Sequence, residues 1–204
     1  MRPPRMRVAL FGRSLAGIDL ATEMARAGHE VQEVSDPAEL SSYDALLIAV
    51  GDARLDAVVD LLEPHVHRGL IVIHTSLSRG VQVLDPLETR GCVVAAIAPI
   101  VTGRWAVTTL DELGETIADL IVGEIRADVV TLSDVERAPF AARVYYAEML
   151  HRLQVPAARE AEFFAPTEEW PPVNNGFDDQ EAIAAYRGAT DPGLRRSYVE
   201  VARR

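Results

Sequence analysis

The chain has 204 residues, 49% of them hydrophobic and 6% aromatic, with 31 acidic against 20 basic side chains and a net charge of −11. That is enough apolar material for one compact core with a small appendage, and the acidic balance argues against a nucleic-acid partner, which needs cations to displace counterions from phosphates. Lysine is absent, which excludes a Schiff-base nucleophile, a pyridoxal-phosphate anchor and a P-loop lysine.

The single cysteine, Cys92, cannot form an intramolecular disulfide and fits a reducing compartment. The apolar run 8–11 is far shorter than a signal core or a membrane span. A cytoplasmic protein with no membrane partner is expected.

In chain order, short β-branched runs alternate with helix-period segments, the pattern of a parallel sheet with crossover helices. Strands are expected at 7–11, 30–34, 45–50, 70–73 and 93–97, with looser ones at 105–109 and 128–132. Between the first two, residues 15–27 place Gly17, Leu20, Ala21 and Met24 on one helical stripe, and Gly28 follows as a terminator. Further helices are expected at 52–62, 81–89 and 111–124.

From Asp134 the character changes to helix without strand. Residues 134–153 carry an apolar stripe of Phe140, Val144, Ala147 and Leu150, which leaves Tyr145 and Tyr146 to solvent or a partner. Residues 164–179 read as an acidic, proline-rich loop around Trp170, and a last helix pair is expected at 180–187 and 192–203. The fold class is therefore α/β: a Rossmann-like, mostly parallel sheet over residues 1–133, with a short helical tail over 134–204.

The most informative stretch is the turn Gly12, Arg13, Ser14, Leu15, Ala16, Gly17. Gly12, Ser14 and Gly17 hold the three positions of a dinucleotide fingerprint: one for a tight turn, one for close approach of a pyrophosphate, one for packing helix on strand. Serine replaces the second glycine. Its Cβ enters space a pyrophosphate would use, while its hydroxyl can donate to a phosphate at the helix N-terminus. About 20 residues on, where a ribose-binding acid would lie, the segment Val34, Ser35, Asp36 offers Ser35 and Asp36, with no arginine before Arg54. This leans to NAD over NADP. The competing reading is a Rossmann turn that binds no nucleotide.

These residues, with Leu47 to Asp52, the run ending in His74, Thr75 and Ser76, and Ala98, Pro99, Ile100, resemble the 6-phosphogluconate dehydrogenase superfamily. Within it, the chain resembles small bacterial proteins near pyrroline-5-carboxylate reductase that join a Rossmann-like NAD(P)-binding domain to a helical domain of unknown function. It covers about residues 7–153 and resumes around Asp191 to Tyr198. The resemblance implies a cofactor along the carboxyl ends of the strands, contacted by Gly12, Ser14, Leu15, Val50 and Gly51, with Thr75 and Ser76 beside the nicotinamide. It also implies a helical segment that dimerises and completes the active site.

The chain departs from that family at Ser14, at Ala98 where the family has a histidine, in a shortened helical region between 153 and 176, and at Arg143 and Ala147 in place of a lysine and asparagine pair. Arginine orients a carboxylate well but is a poor proton carrier. The expected catalytic group is thus Ser76 and Arg143 orienting substrate, with His74 and Tyr145 as proton handlers.

His65 and His67 alternate in a turn, without a third metal ligand nearby, and no metal is expected. The resulting expectation is an NAD(P)-linked oxidoreductase acting on a small polar metabolite as a homodimer. The alternative is a repurposed scaffold without redox cofactor, serving as a cyclase, a lyase, or a ligand-binding or partner protein.

Overall fold

The computed structural model describes residues 5–160 and 178–203. Trp170 and most of the expected acidic loop lie outside the described residues. Those described form a seven-stranded sheet in the order β2-β1-β3-β4-β5-β6-β7, with β1 at Arg7–Gly12, β2 at Glu30–Glu33, β3 at Ala45–Ala49, β4 at Ile71–His74, β5 at Val93–Val101, β6 at Arg104–Thr109 and β7 at Asp128–Thr131. The first five strands are mutually parallel. Every residue of β3 is buried, because a parallel sheet is covered by helices on both faces and its central strands read as continuous apolar runs.

The one antiparallel pair is β5 with β6. A two-residue turn joins them through Gly103, at φ 76°, and so short a link can only reverse the chain. Strand β7 returns to parallel beside β6 after the crossover helix α4 (Glu112–Glu124).

Two apolar clusters fill the sheet's two faces. On one, α2 (Asp52–Leu62) and the short α3 (Asp85–Thr89) bring Leu55, Val59, Leu62 and Leu87 against Leu46 and Ile48. On the other, α1 (Leu15–Ala27) and α4 bring Leu20, Met24, Ile121 and Val122 against Leu47 and Ile97. The expected stripe Gly17, Leu20, Ala21, Met24 is the buried face of α1, and Gly28 closes that helix in the left-handed region. The expected helix at 81–89 divides into a 3₁₀ turn at Val81–Leu84 and α3.

The C-terminal helices are α5 (Asp134–Glu160), α6 (Asp179–Ala185) and α7 (Pro192–Ala202). Helix α5 runs past the expected end at 153. Its buried face is also different from the expected stripe: Ala141, Ala142 and Tyr145 are buried, Ala147 is exposed, and Phe140, Val144 and Leu150 are half-buried. The reason is the floor beneath it. The third cluster sets Ala98 of β5 and Ala106 of β6 beside Leu77 and Ile100, and the small side chains of those two alanines let the alanines of α5 approach closely. Tyr146 stacks on Tyr198 of α7, with ring centroids 5.9 Å apart, so both tyrosines face neighbouring helices rather than solvent.

Candidate functional site at the carboxyl edge of the sheet

Strands β2 and β3 lie on opposite sides of β1. Such a reversal opens a crevice at the carboxyl ends of the strands, and the glycine turn sits over it. Gly12 has φ 96°, and a Cβ there would lie 2.3 Å from the Ala49 carbonyl oxygen, so the tight turn admits only glycine. Gly17 lies against Ala49, where a Cβ would meet the Ala49 Cβ at 2.2 Å.

Ser14 is the N-cap of α1. Its Oγ accepts the Gly17 N–H at 3.2 Å and lies 3.5 Å from Thr75 Oγ1, while its own N–H donates to Ala49 O at 2.8 Å. The hydroxyl is thereby turned inward, toward helix and β4. The amides of Leu15 and Ala16 find no intramolecular acceptor among the described residues, which leaves two donors at a helix N-terminus, the electropositive end. The Leu15 side chain stands 47% exposed at the rim.

At the far side of the turn, Arg13 pairs with Glu33, the last residue of β2, through Nε and through Nη2 at 2.6 Å. Ser35 is exposed beyond the strand end, and Asp36 caps the following 3₁₀ turn by accepting the Ala38 N–H. Glu33 is thus the acidic side chain at the end of β2, with Ser35 and Asp36 lying beyond it.

Across the crevice, Val50 is buried, and Gly51 caps α2 with no side chain of its own. His74, Thr75 and Ser76 are buried at the end of β4. His74 Nε2 meets Gly80 O at 3.0 Å, and Nδ1 accepts the Ser76 N–H at 3.2 Å. Burial, reinforced by the Arg137 charge, holds its pKa down to about 3. Both ring nitrogens of His74, expected as a proton handler, are thus engaged in shaping the turn. Ser76 Oγ accepts the Arg79 N–H at 3.0 Å.

The helical tail completes the edge. Tyr145 donates to Glu181 Oε2 at 2.8 Å. Glu181 Oε1 stands 3.6 Å from where a Gly51 Cβ would be. Asp52 Oδ2 accepts the Ser78 hydroxyl, while its Oδ1 is buried without a partner. Burial, then the Asp52 charge, pushes the Glu181 pKa up to about 7. Burial and the Glu181 charge hold the Tyr145 hydroxyl well above its ordinary value, so Tyr145 stays protonated and Glu181 is the group that titrates near neutrality.

Arg137 is fully buried. It donates to Ser76 O at 2.7 Å, Thr108 Oγ1 at 2.9 Å and Ala96 O at 3.3 Å, tying α5 to β5, to β6 and to the segment that follows β4. Arg143, by contrast, is exposed. Two residues along a helix is a rotation of about 200°, so with Tyr145 turned inward Arg143 lies on the solvent side of α5, and no hydrogen bond among the described residues joins it to Ser76. Arg137 and Glu181 went unnoticed in the sequence. The available signal for Arg137 was its i, i+4, i+8 spacing with Ala141 and Tyr145, which a search for apolar stripes passes over because one member is charged.

A Rossmann-like domain model matches residues 36–99, a span that begins after the glycine turn. A search of curated protein sequences found no match. Among solved structures, the chain is similar to UDP-D-ManNAc dehydrogenase from Pyrococcus horikoshii (TM-score 0.65, 12% identity, covering 98% of this chain and 68% of that one). It is also similar to Plasmodium falciparum pyrroline carboxylate reductase with NADP bound (0.62, 11%, 97% and 94%). Prephenate dehydrogenase from Aquifex aeolicus in complex with hydroxyphenyl propionate and NAD+ is a third (0.60, 12%, 98% and 85%). At such identities the likeness establishes the fold: a Rossmann-like sheet shared with NAD(P)-dependent dehydrogenases and reductases. No helix among the described residues is long and apolar enough to cross a membrane.

Proposed function

We propose that the chain is a nicotinamide-dinucleotide-dependent oxidoreductase of the 6-phosphogluconate dehydrogenase type, acting on a small polar metabolite. The observation that carries this reading is the glycine turn at the strand reversal, where Gly12 lets the chain pass under Ala49 O and two amides of α1 stay open. That cradle fits a diphosphate, because the Ser14 hydroxyl is held against Gly17 N and Thr75 instead of projecting over those amides. Gly12, Ser14, Leu15 and Gly17 would hold the diphosphate, and Val50, Gly51 and Thr75 the nicotinamide end. Glu33 would meet the adenosine ribose once Arg13 swings away, which favours NAD over NADP.

Bound there, a nicotinamide supplies or accepts a hydride. The residues of this chain supply the proton traffic: Glu181 exchanges a proton near neutral pH, and the Tyr145 hydroxyl fixes its carboxyl group. Arg137 positions the Ser76 loop through the Ser76 carbonyl. A homodimer built on the helical tail belongs to the same proposal.

A second reading, a scaffold without redox cofactor, draws support from Ala98, whose buried methyl offers no chemistry at the end of β5. One titration separates the two. NADH and NADPH are added while nicotinamide fluorescence and melting temperature are followed, since a ligand that binds the folded state must raise its apparent stability. NADH is expected to bind and to stabilise more than NADPH. Absence of stabilisation by either at millimolar concentration would overturn the oxidoreductase reading.

A further inference from the structure

A cavity of about 220 Å³ opens between Asp19 and Glu23 of α1, the turn that joins β5 to β6, and Ile125 at the end of α4, with Trp105 as one wall. It is separate from the proposed nicotinamide end. Trp105 and Ile125 pack in the cluster beneath α1 and α4, whereas Val50 packs in the cluster on the opposite face of the sheet.

Trp105 is only 3% exposed. Its place on β6 turns the ring to this face and the neighbouring Ala106 to the other. The indole Nε1–H has no acceptor among the described residues and is not sealed from solvent, so it faces the space that Trp105 lines. A buried indole N–H ordinarily finds a partner, and one left unmet costs free energy until an acceptor arrives.

The groups opposite are acceptors. Asp19 has no hydrogen-bond partner among the described residues. Glu23 is held by Arg26 through one oxygen, and the Arg26 charge also reaches Asp19, so the cavity is acidic but carries a counter-charge. This mixture discriminates between ligands. A carboxylate would be repelled by Asp19, and an ammonium has no lone pair to offer the indole N–H. A hydroxyl can accept from the indole and donate to a carboxylate at the same time. At roughly 30 Å³ for each water-sized group, the space suits a polyol of three or four carbons.

We propose that this cavity is a subsite for a small neutral polyol, in which the Trp105 indole donates to one hydroxyl oxygen and Asp19 and Glu23 accept from that hydroxyl and its neighbour. The inference goes beyond the oxidoreductase reading and does not depend on it.

The chain has two tryptophans, so Trp170→Phe labelled with ¹⁵N-tryptophan shows a single indole N–H signal, that of Trp105. Erythritol should move this signal saturably, with half-saturation on the order of millimolar. Asp19→Ala, at an exposed helix position, should weaken erythritol by about tenfold, the loss of one charge-assisted hydrogen bond. Butylammonium and butyrate, of matched chain length, should leave the signal in place. The proposal is overturned if the erythritol shift grows linearly without saturating, if it is the same in Asp19→Ala, or if butylammonium or butyrate binds as tightly as erythritol. Should Trp170→Phe fail to fold, the wild-type chain is titrated instead. An indole signal that saturates there and is weakened in Asp19→Ala supports the proposal, and two signals that behave alike in both chains overturn it. The titration is made without nucleotide, so a failure of NADH to bind removes the cofactor reading and leaves this result standing.

Discussion

Gly17 of α1 and Ala49 of β3 touch so closely that the smallest added side chain at Gly17 would stand 2.2 Å from the Ala49 Cβ. The contact sets how near the first helix rides to the sheet, and with it the height of the Leu15 and Ala16 amides over the crevice. Gly17→Ala gains about 1 kcal/mol of helix propensity but must push helix from strand, an overpacking cost of about 1–3 kcal/mol. A lower urea midpoint is expected, together with weakened NADH binding. An unchanged midpoint with unchanged binding would show that the helix seat is not rigid.

Arg137 is a buried charge without a carboxylate at bonding distance, and burial brings its pKa down to about 10. Its removal leaves the Ser76 and Ala96 carbonyls without these donors. Arg137→Met should cost about 3 kcal/mol. Arg137→Lys should recover little of it, because one ammonium cannot span three acceptors held by a planar fork. Chemical denaturation checks both, and a near-neutral Arg137→Met would show that those carbonyls are satisfied otherwise.

The pH dependence contains two opposing slopes. Glu181 is raised in the folded state to about 7, so the native chain holds a proton the unfolded chain has released, and its stabilising effect is lost as pH rises from 4.5 to 7. His74 is depressed to about 3, so its effect is full above 6.5 and is lost as pH falls toward 3. Between 4.5 and 6.5 the two slopes, each up to about 1.4 kcal/mol per pH unit, offset one another. Glu181→Gln should therefore expose a stability that declines steadily on acidification below 6.5. A variant profile that stays parallel to the wild type's would contradict the burial of Glu181.

Glu33 and Arg13 have side chains 46% and 76% exposed. An ion pair so exposed contributes little, and Glu33→Gln should leave the melting temperature essentially unchanged. The same change should weaken NADH by about tenfold if the carboxylate receives the ribose hydroxyls. Fluorescence titration beside a melting curve distinguishes the two effects. Equal NADH affinity in the variant would mean the Arg13 pair persists when nucleotide binds.

Much of the sheet was legible because it is written in local periods. The run at 45–49 is continuously apolar and so had to be a central strand, and Gly17, Leu20, Ala21 and Met24 repeat at the helical interval. The turn from Gly12 to Gly17 was recognisable for the same reason, since a tight turn followed by a helix is decided within six residues. The buried face of α5 was not legible. Its apolar residues suggest one stripe, but the small side chains of Ala98 and Ala106 below let Ala141 and Ala142 approach closely.

From the residues alone came the alternation of strand and helix, the mostly parallel sheet, the glycine turn and the absence of lysine chemistry. Only the folded chain decided that the second strand stops at Glu33, that both ring nitrogens of His74 are engaged, that Arg143 is exposed, and that Glu181 from the last part of the chain stands over Gly51. The division follows from range. Periodicity reports the few residues that share a turn or a strand, whereas a partner far along the chain is chosen by packing shape and by where a buried polar atom can be satisfied.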